Sequence, residues 1–570
     1  MSEAIETQVV IIGAGPVGLG MAIELAHRGI ECTVVEEGDG TVAHPRTGLV
    51  AIRTMELLRR WGLAEPVRNC GFPSDYQLSM VFCTSLNGLL LDREDYPSMR
   101  QTPTPPETPE KKQRCPQMWL QPILLQAAQT SDRTHFLFKH RFEQLSQDAE
   151  GVEAVVIDLV TGKSVNLHGK YLLGCDGVTS KVRRQLGIEI DDRLLSYSIN
   201  ILFRVPGLTS KHSMGEAERY MFVGVEGMWG NLTVIDGDEL WRLTVLGSQE
   251  KMGLRTFDAH KWIIRALGTE DDPQRIPFEV LSVVPWRRAE LLARNFVTGR
   301  AVLAGDSGHA MSPTGGMGMN TGMQEVLDLG WKLQGALEGW AGPHLLSSYE
   351  AERRPVAARN IAFSTQNFKA WKGAVQPGAV LDLTAEGESV RRTIGKLLRD
   401  ATRVEWESVG LQIGHRYEAS PICVPDGTPA TPDEYDHYLP TSRPGSRAPH
   451  AWLSDGQSTL DLFGNGFVLL CFDEVVTDVE ELAQTFRARR VPLEVVRIDD
   501  AEIARLYERR RVLIRPDGHV AWRGDLVVDP AGITDIVRGA ANLPMGHSRH
   551  PVAADSSLAS PSLTSFRRNK

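Results

Sequence analysis

The chain has 570 residues, of which 42% are hydrophobic and 24% charged, as is typical of a globular protein rather than a disordered one. Its formal net charge of -10 argues against nucleic acid or an anionic membrane as the main partner. No apolar run approaches the ~20 residues that span a bilayer, and the N-terminus lacks the basic region of a signal peptide. The seven cysteines are scattered without a CxxC pair, so we expect no disulfide framework, no metal site and a cytoplasmic location.

The first sixty residues predict the start of a βαβ unit. Apolar runs indicate a buried strand at 8–12, a helix at 16–28, a second strand at 32–36 and a helix at about 50–60. Between the first strand and helix lies a G-x-G-x-x-G pattern, made of Gly13, Ala14, Gly15, Pro16, Val17 and Gly18. Its glycines permit a tight turn, the close approach of a pyrophosphate and close packing of the helix on the strand.

Glu36 ends the second strand, where a carboxylate can accept hydrogen bonds from a ribose diol. Together with the glycine pattern it predicts a site for an adenine dinucleotide. The pattern by itself does not distinguish FAD from NAD.

Further along the chain, a proline-rich loop at 103–109 precedes a predicted helix at 119–130. Strands are predicted at 152–158 and 165–174. From about 190 to 290 short strands follow one another and predict an antiparallel sheet inserted between two halves of the first domain. The clearest of these strands are at 198–204, 220–225 and 240–246.

A second glycine cluster lies between a predicted strand at 301–305 and a long predicted helix at 321–338. Gly305 and Asp306 follow the strand, and the aspartate is placed where it could meet a ribityl hydroxyl. The loop from Pro313 to Asn320 could bring backbone N–H groups against a flavin ring.

Six ordered motifs then make the chain similar to a known family. They are Gly13–Gly18 with Glu36, His44-Pro-Arg46 followed by 53–58, Pro116-Gln117, the segment 174–183 around Asp176-Gly177, Gly305-Asp306 with the glycine loop, and the segment 349–355. The chain resembles the single-component (group A) FAD-dependent aromatic hydroxylases. The segments 444–453, 461–464 and 515–523 resemble the thioredoxin-like C-terminal domain of the phenol hydroxylase branch, which is redox-inactive here because it lacks CxxC.

The resemblance implies an α/β fold with a Rossmann-like FAD-binding domain, an inserted antiparallel substrate sheet and the C-terminal domain. We expect an FAD-binding domain at 1–190 and 291–400, the substrate sheet at 191–290, the C-terminal domain at 401–545 and a flexible tail at 546–570. It also implies that Glu36 binds the adenosine ribose, that Asp306 meets the ribityl chain or pyrophosphate, and that Asp176 and Gly177 link FAD and NAD(P)H handling. The other residues implied in FAD binding are Gly13, Ala14, Gly15, Pro16, Val17, Gly18, Arg46, Gln117, Gly305, Pro313, Gly318, Met319 and Asn320.

The implied activity is NAD(P)H-dependent and O₂-dependent hydroxylation of a small aromatic substrate through a C4a-hydroperoxyflavin, in a chain that could form a homodimer. The catalytic base is not predicted: His309 could act as a base or proton relay, but ordering of the Gly305–Pro313 loop is the favoured interpretation. Candidate substrate contacts on the inserted sheet are Phe203, Tyr220, Phe222, Trp229, Trp241 and Arg242, with core packing as the alternative for each aromatic.

Two departures from the family pattern adjoin the glycine loop. The segments 306–309 and 324–329 read Asp-Ser-Gly-His and Gln-Glu-Val-Leu-Asp-Leu where the family often has Asp-Ala-Ala-His and Gln-Asp-Ala-x-Asn-Leu. Two alternative functions stay open from sequence. One is Baeyer–Villiger or polyketide-tailoring oxygenation with the same FAD, and the other is an NAD-dependent dehydrogenase or a non-catalytic dinucleotide-binding protein.

Overall fold

The computed structural model describes residues 4–541, except positions 43, 45–47, 252, 254, 374–377, 465 and 474–476. Arg46 and the predicted tail at 546–570 therefore lie outside the described residues. Within the described part of the chain, no helix combines the length and apolar composition needed to cross a membrane.

The strands, in chain order, are β1 (Ala4–Glu6), β2 (Val9–Ile12), β3 (Cys32–Glu36), β4 (Leu49–Val50), β5 (Met80–Cys83), β6 (Leu90–Glu94), β7 (Gln113–Arg114), β8 (Thr134–Phe138), β9 (His140–Gln147), β10 (Val152–Asp158), β11 (Ser164–Gly169), β12 (Tyr171–Gly174), β13 (Ile190–Arg204), β14 (Arg219–Gly224), β15 (Gly227–Val234), β16 (Leu240–Leu246), β17 (Glu279–Ala293), β18 (Val297–Thr298), β19 (Ala301–Leu303), β20 (His309–Ala310), β21 (Phe467–Cys471), β22 (Leu493–Arg497), β23 (Arg511–Ile514) and β24 (Val520–Gly524). The α-helices are α1 (Pro16–His27), α2 (Ile52–Arg60), α3 (Ala64–Arg68), α4 (Gln117–Gln129), α5 (Lys181–Gln185), α6 (Ala259–Leu267), α7 (Met317–Glu338), α8 (Ser348–Gly373), α9 (Ala385–Trp406), α10 (Val409–Ile413), α11 (Thr477–Ala488), α12 (Ala501–Tyr507) and α13 (Pro530–Val537).

A six-stranded sheet with the order β18-β19-β12-β2-β3-β8 lies at the centre of the N-terminal half. Its strand pairs are parallel except for β18 with β19. All four residues of β2 are buried, as its continuous apolar run predicts for a strand covered on both faces. The run predicted as one strand at 165–174 is two strands, β11 and β12, which enter different sheets. The break lies at Lys170, whose N–H donates to the Gln8 carbonyl at 2.9 Å.

An eight-stranded sheet with the order β20-β17-β13-β16-β15-β14-β5-β6 forms the second layer, here named the large sheet. Its strands β13 to β17 correspond to the antiparallel sheet predicted at 191–290. Two further strands, β5 and β6, come from the segment expected in the first FAD part, and β20 follows the insertion. The local sequence could not show this, because β14 pairs in parallel with β5 across a long separation in the chain.

The two faces of the large sheet pack against different helices. One face forms a core with α6, and the opposite face packs against α8 and α9. The aromatic members of the α6 core that the sequence singled out are Phe203, Tyr220, Phe222, Trp229 and Trp241. Met221, between two of them in the chain, packs with Phe368 and Trp371 on the other face, because successive side chains of a strand point to opposite sides.

The C-terminal module is a four-stranded sheet with the order β22-β21-β23-β24, flanked by α11, α12 and α13. Strands β21 and β22 are parallel, whereas β23 is antiparallel to both of its neighbours. This arrangement confirms the thioredoxin-like fold expected from the resemblance. Cys423 and Cys471 are both unbridged and buried in this part of the chain.

A buried ionic cluster joins this module to the N-terminal half. Arg515 contacts Asp328 on α7 at 2.9 Å, Glu352 on α8 at 2.5 Å and Asp517 at 2.6 Å. Lys332 contacts the same Asp328 at 2.8 Å and Glu352 at 2.5 Å. All five side chains are at most 1% exposed, so the two basic groups pair with the three carboxyl groups out of reach of water.

Candidate active site

Three adjacent parallel strands, β2, β12 and β19, end at the same edge of the six-stranded sheet. Gly13 has φ +104°, and a Cβ there would meet the Cys175 carbonyl oxygen at 2.5 Å. A Cβ on Gly18 would approach the Gly13 carbonyl oxygen to 1.9 Å. A Cβ on Gly15 would meet nothing within 4 Å. Two of the three glycines are thus enclosed by backbone, whereas Gly15 borders open space at the N-terminus of α1.

Glu36 connects the end of β3 to this turn. Its Oε2 accepts a hydrogen bond from the Ala14 N–H at 2.8 Å, and its Oε1 accepts one from the Gly38 N–H at 2.7 Å. Each carboxylate oxygen can accept more than one hydrogen bond, so a hydroxyl donor fits beside these contacts. The carboxylate therefore lies beside Gly15, at the site where an adenosine ribose is expected.

Asp176 follows β12 and holds the start of α5. Its Oδ2 accepts hydrogen bonds from the Lys181 and Val182 N–H groups at 2.7 and 3.1 Å. Its Oδ1 is buried and has no hydrogen-bond partner among the described residues. Arg183 then donates to the Ser307 carbonyl at 2.7 Å, which ties this loop to the one that follows β19.

The loop after β19 is fixed by a charged residue that the sequence analysis did not assign. Glu325 on α7 accepts a hydrogen bond from the Gly305 N–H at 2.8 Å, and its other oxygen lies 2.8 Å from His309 Nε2. Burial lowers the pKa of His309, but the Glu325 carboxylate outweighs burial and the net pKa is raised. These contacts favour loop ordering over proton transfer as the role of His309. Asp306 lies on the outer side of this turn and is exposed.

The glycine loop leads into α7, which begins at Met317 after Gly316 with φ +66°. Pro313 is exposed, and Gly318 and Met319 are half-buried at the start of the helix. The first N–H groups of a helix have no intrahelical acceptor and are available to a ligand.

The Asn320 side chain, in contrast, is fully occupied by protein. Its Oδ1 accepts from the Ala51 N–H and the Thr54 hydroxyl, and its Nδ2 donates to the Leu49 and Gly316 carbonyls. Asn320 therefore holds α2 and α7 together, and its side-chain amide is not available for a hydrogen bond to a flavin.

The remaining predicted cofactor residues lie nearby. Gln117 begins α4, and its Nε2 donates to Gln121 Oε1 at 2.9 Å. His44, two residues before Arg46, has its Nδ1 2.9 Å from the Ser282 hydroxyl of the large sheet. His44 thus meets β17 of the large sheet.

The predicted substrate residues divide between the two faces of the large sheet. The α6 core contains four of them, as the alternative of core packing predicts: Phe203, Phe222, Trp229 and Trp241. Arg242 is paired with Thr233 on β15, and Thr233 is paired with Arg219 on β14. Directly paired residues share a face, so Arg219 and Arg242 lie on the face opposite the α6 core. The sequence analysis missed Arg219, Arg288 and Glu405. The alternation of side chains between the two faces of a strand would have indicated that Arg242, next to Trp241, lies on the polar face.

The residues present fit FAD. The open space at Gly15 and the buried Asp176 oxygen, which has no partner among the described residues, follow the adjacent strands β2 and β12. The starts of α1 and α7 supply N–H groups without an intrahelical acceptor, which suits the phosphates of a dinucleotide.

Comparison with known proteins agrees with this geometry. Residues 6–364 match the family described as FAD binding domain, and residues 441–541 match the family described as aromatic-ring hydroxylase, C-terminal. The FAD-dependent monooxygenase apdD of Emericella nidulans is 30% identical over 96% of this chain and 92% of its own length. The 4-methyl-5-nitrocatechol 5-monooxygenase of a Burkholderia species is 31% identical over 94% of this chain and 97% of its own.

Solved structures show the same relationship. RebC soaked with chromopyrrolic acid and holding 7-carboxy-K252c has a TM-score of 0.87 and 40% identity, covering 94% of this chain and 100% of that chain. Aklavinone-11 hydroxylase in complex with FAD and aklavinone has a TM-score of 0.76 and 27% identity, covering 94% and 99%. This chain belongs to the FAD-dependent aromatic monooxygenases of the phenol hydroxylase-like group, with FAD as its cofactor and an aromatic small molecule as its substrate class.

Proposed function

We propose that this enzyme hydroxylates a phenolic or other electron-rich aromatic ring held between the large sheet and the glycine loop, with NAD(P)H as the reductant. The observation that carries the proposal is the contact between the loop after β19 and the large sheet, where β20 pairs with β17 and Arg288 donates to the Ser312 and Thr314 hydroxyls. When bound, FAD supplies the redox chemistry that takes electrons from NAD(P)H and activates O₂.

The chain's own residues position the reactants. The starts of α1 and α7 present N–H groups to the cofactor, and Glu36 is placed to accept ribose hydroxyls. Glu325 and His309 hold the Gly305 turn, while Arg183 fastens the Asp176 loop to it. Helices α8 and α9 cover the substrate face of the large sheet and restrict the access of water. The cofactor roles of Gly13, Glu36, Arg46, Gln117, Asp176 and Asp306 stay predictions.

Hydroxylation of a polycyclic, polyketide-like substrate is a second candidate. It is favoured by relatives described as putative polyketide hydroxylases of Streptomyces, 30% and 31% identical to this chain over 90% of its length. Baeyer–Villiger oxygen insertion remains the alternative outcome of the same site.

The experiment is to purify the protein, record its flavin absorbance, and measure NADH and NADPH oxidation across phenols and polycyclic aromatics with product and peroxide quantified. We expect a yellow protein whose NAD(P)H oxidation rises with a hydroxylated product in matching amount. A colourless protein, or stimulated oxidation that yields peroxide alone with every compound, contradicts the proposal. A ring-expanded or ring-opened product indicates oxygen insertion instead.

The domain boundaries, the cytoplasmic location and the homodimer expected from the sequence stay predictions. The C-terminal module exposes Leu526 and Val528, 62% and 88% accessible, which is compatible with a contact between subunits.

A further inference from the structure

Two cysteines that are distant in the chain, Cys70 and Cys115, meet beside the short strand β7. Cys70 follows α3, and its Sγ lies 3.4 Å from the carbonyl oxygen of Arg114, the residue before Cys115. The Cys115 thiol donates a hydrogen bond to the Cys70 sulfur. Both cysteines are free of any disulfide. The fold therefore brings two thiols into contact, although the sequence contains no CxxC pair.

The two thiols differ in what surrounds them. The Cys70 sulfur accepts hydrogen bonds from the Cys115 thiol and from the backbone N–H of Phe72, and the Arg114 guanidinium favours its negative charge. These contacts outweigh burial and lower the pKa of Cys70. The same thiol–thiol hydrogen bond, together with burial, raises the pKa of Cys115. Cys70 is therefore the thiolate of the pair, and Cys115 keeps its proton.

Only one of the two sulfur atoms can be reached from solvent. Cys70 is half-buried, whereas Cys115 is fully buried behind it. Burial raises the pKa of each of the other five cysteines, which are Cys32, Cys83, Cys175, Cys423 and Cys471. A small oxidant that enters from the surface therefore meets a thiolate at Cys70, with a second thiol in contact with it.

The position of Cys115 connects the pair to the segments that precede α4 and α7. Its N–H donates to the Gly48 carbonyl at 2.8 Å, next to the pairing of β4 with β7. The following carbonyl, of Leu49, accepts a hydrogen bond from Asn320 on α7. Cys115 also lies two residues before Gln117, which is predicted to contact FAD. A covalent change at Cys115 therefore takes place next to backbone that holds these helices.

We propose that Cys70 and Cys115 form a peroxide-reactive dithiol, which hydrogen peroxide converts into a disulfide. In the first step the Cys70 thiolate attacks one oxygen of hydrogen peroxide, and the O–O bond breaks. The products are a sulfenic acid on Cys70 and a hydroxide ion, which takes up the proton that Cys70 released when it ionised.

In the second step the Cys115 sulfur attacks the Cys70 sulfur, and the S–O bond breaks. The hydroxyl group leaves as water with the Cys115 proton. In total, two thiols and one hydrogen peroxide give one disulfide and two water molecules, and the thiols lose the two electrons that the peroxide gains. This inference goes beyond the proposed function and does not depend on it.

The test adds hydrogen peroxide to the reduced holoenzyme and measures the intact mass and the tryptic peptides. Trypsin leaves Cys70 and Cys83 together in the peptide 69–93 and Cys115 in another peptide. Cys83→Ala is therefore the matched control, because Cys83 shares a peptide with Cys70 but is buried in the α6 core. The variants Cys70→Ser and Cys115→Ser each remove one partner, and dimedone traps a sulfenic acid.

We expect the native protein to lose about 2 Da, for two hydrogen atoms, and to show a cross-link between the two peptides that dithiothreitol reverses. Cys83→Ala forms the same cross-link, and Cys70→Ser and Cys115→Ser do not. In Cys115→Ser the sulfenic acid persists, so dimedone labels Cys70 at least about tenfold more than Cys83, as their different thiolate character implies.

Absence of the cross-link at millimolar peroxide, in protein with full flavin occupancy, overturns the inference and leaves the two thiols as a packing contact. A cross-link that persists in Cys70→Ser, or that is lost in Cys83→Ala, overturns it as well. So does equal dimedone labelling of Cys70 and Cys83 in Cys115→Ser. Because the peroxide is added, these results do not depend on whether the enzyme hydroxylates an aromatic ring, and failure of the proposed function is detected separately.

Discussion

At the scale of single residues, the role of a polar side chain near the glycine loop depends on its neighbours in space. Asn320 has both amide atoms occupied by α2, β4 and the loop, so it fastens elements together. Glu325 stands where the family often has aspartate, and its two oxygens fix both Gly305 and His309. The departure from the family pattern therefore maintains the loop. Glu36 differs from both, because its two contacts leave acceptor capacity toward the open space at Gly15.

Replacement of Glu36 by alanine is expected to weaken FAD binding. The lost carboxylate is a charge-assisted acceptor for ribose hydroxyls, an interaction of about 1.5–3 kcal/mol, which corresponds to a Kd raised about tenfold or more. The measurement is flavin occupancy after purification, followed by titration of the apoprotein with FAD. Glu37→Ala, at the neighbouring exposed position, serves as the control and retains FAD. Unchanged occupancy in Glu36→Ala contradicts the ribose assignment.

At the scale of an element, the turn between β2 and α1 needs glycine for two different reasons. Gly18 is enclosed, since the backbone of Gly13 occupies the position of its missing Cβ. Gly15 has φ -70°, which any residue adopts, and a Cβ there meets no protein atom. Protein packing therefore explains the glycine at Gly18, whereas only a ligand explains the glycine at Gly15.

Two alanine substitutions separate these reasons. Gly18→Ala forces two elements apart and is expected to cost about 1–3 kcal/mol or more of folding free energy, seen as a lower thermal unfolding midpoint of the apoprotein. Gly15→Ala leaves the apoprotein midpoint unchanged and lowers FAD affinity about tenfold, because the methyl group enters the path of the pyrophosphate. The assignment of the turn fails if Gly15→Ala binds FAD as tightly as the native protein does.

At the scale of the whole molecule, the C-terminal module is held to the N-terminal half by buried charge. Arg515 reaches α7 and α8 through Asp328 and Glu352. Burial raises the pKa of Glu352, but Arg515 and Lys332 outweigh it and lower that pKa to about 2. Helix α7 begins at the end of the glycine loop, and α8 carries Phe368 and Trp371, which pack against the large sheet. The position of the module therefore affects the site without contributing catalytic thiols.

Arg515→Met is expected to destabilise the protein by about 3–5 kcal/mol, because Asp328 and Glu352 then remain buried with Lys332 as their basic partner and Asp517 remains buried beside His519. Urea unfolding followed by fluorescence measures the loss. Arg510→Met is the control, since Arg510 is 67% exposed and lies 3.8 Å from Asp473. A change below about 0.5 kcal/mol in Arg515→Met, comparable with an ordinary surface substitution, shows that the cluster does not hold the module.

Much of the fold could be predicted from local patterns. The strands at 32–36, 152–158 and 240–246 match the observed elements at every residue, because apolar runs and alternation are properties of neighbouring residues. The joining of β5 and β6 to the large sheet was not predictable in this way. It depends on the pairing of Arg219 with Met80 and of Met221 with Phe82, which are distant in the chain. The predicted substrate contacts met the same limit, because local sequence could not show that Trp229 and Trp241 belong to the α6 core.

The amino-acid sequence by itself determined the family, the FAD cofactor and the order of the elements, because motif spacing and hydrophobic periodicity are encoded along the chain. Only the tertiary structure decided which face of the large sheet meets the glycine loop. That choice follows from packing, because α6 forms an apolar core on one face, while α8 and α9 pack against the other. Arg219, Arg288 and Glu405 come from separate elements, and only the folded chain brings their charges together.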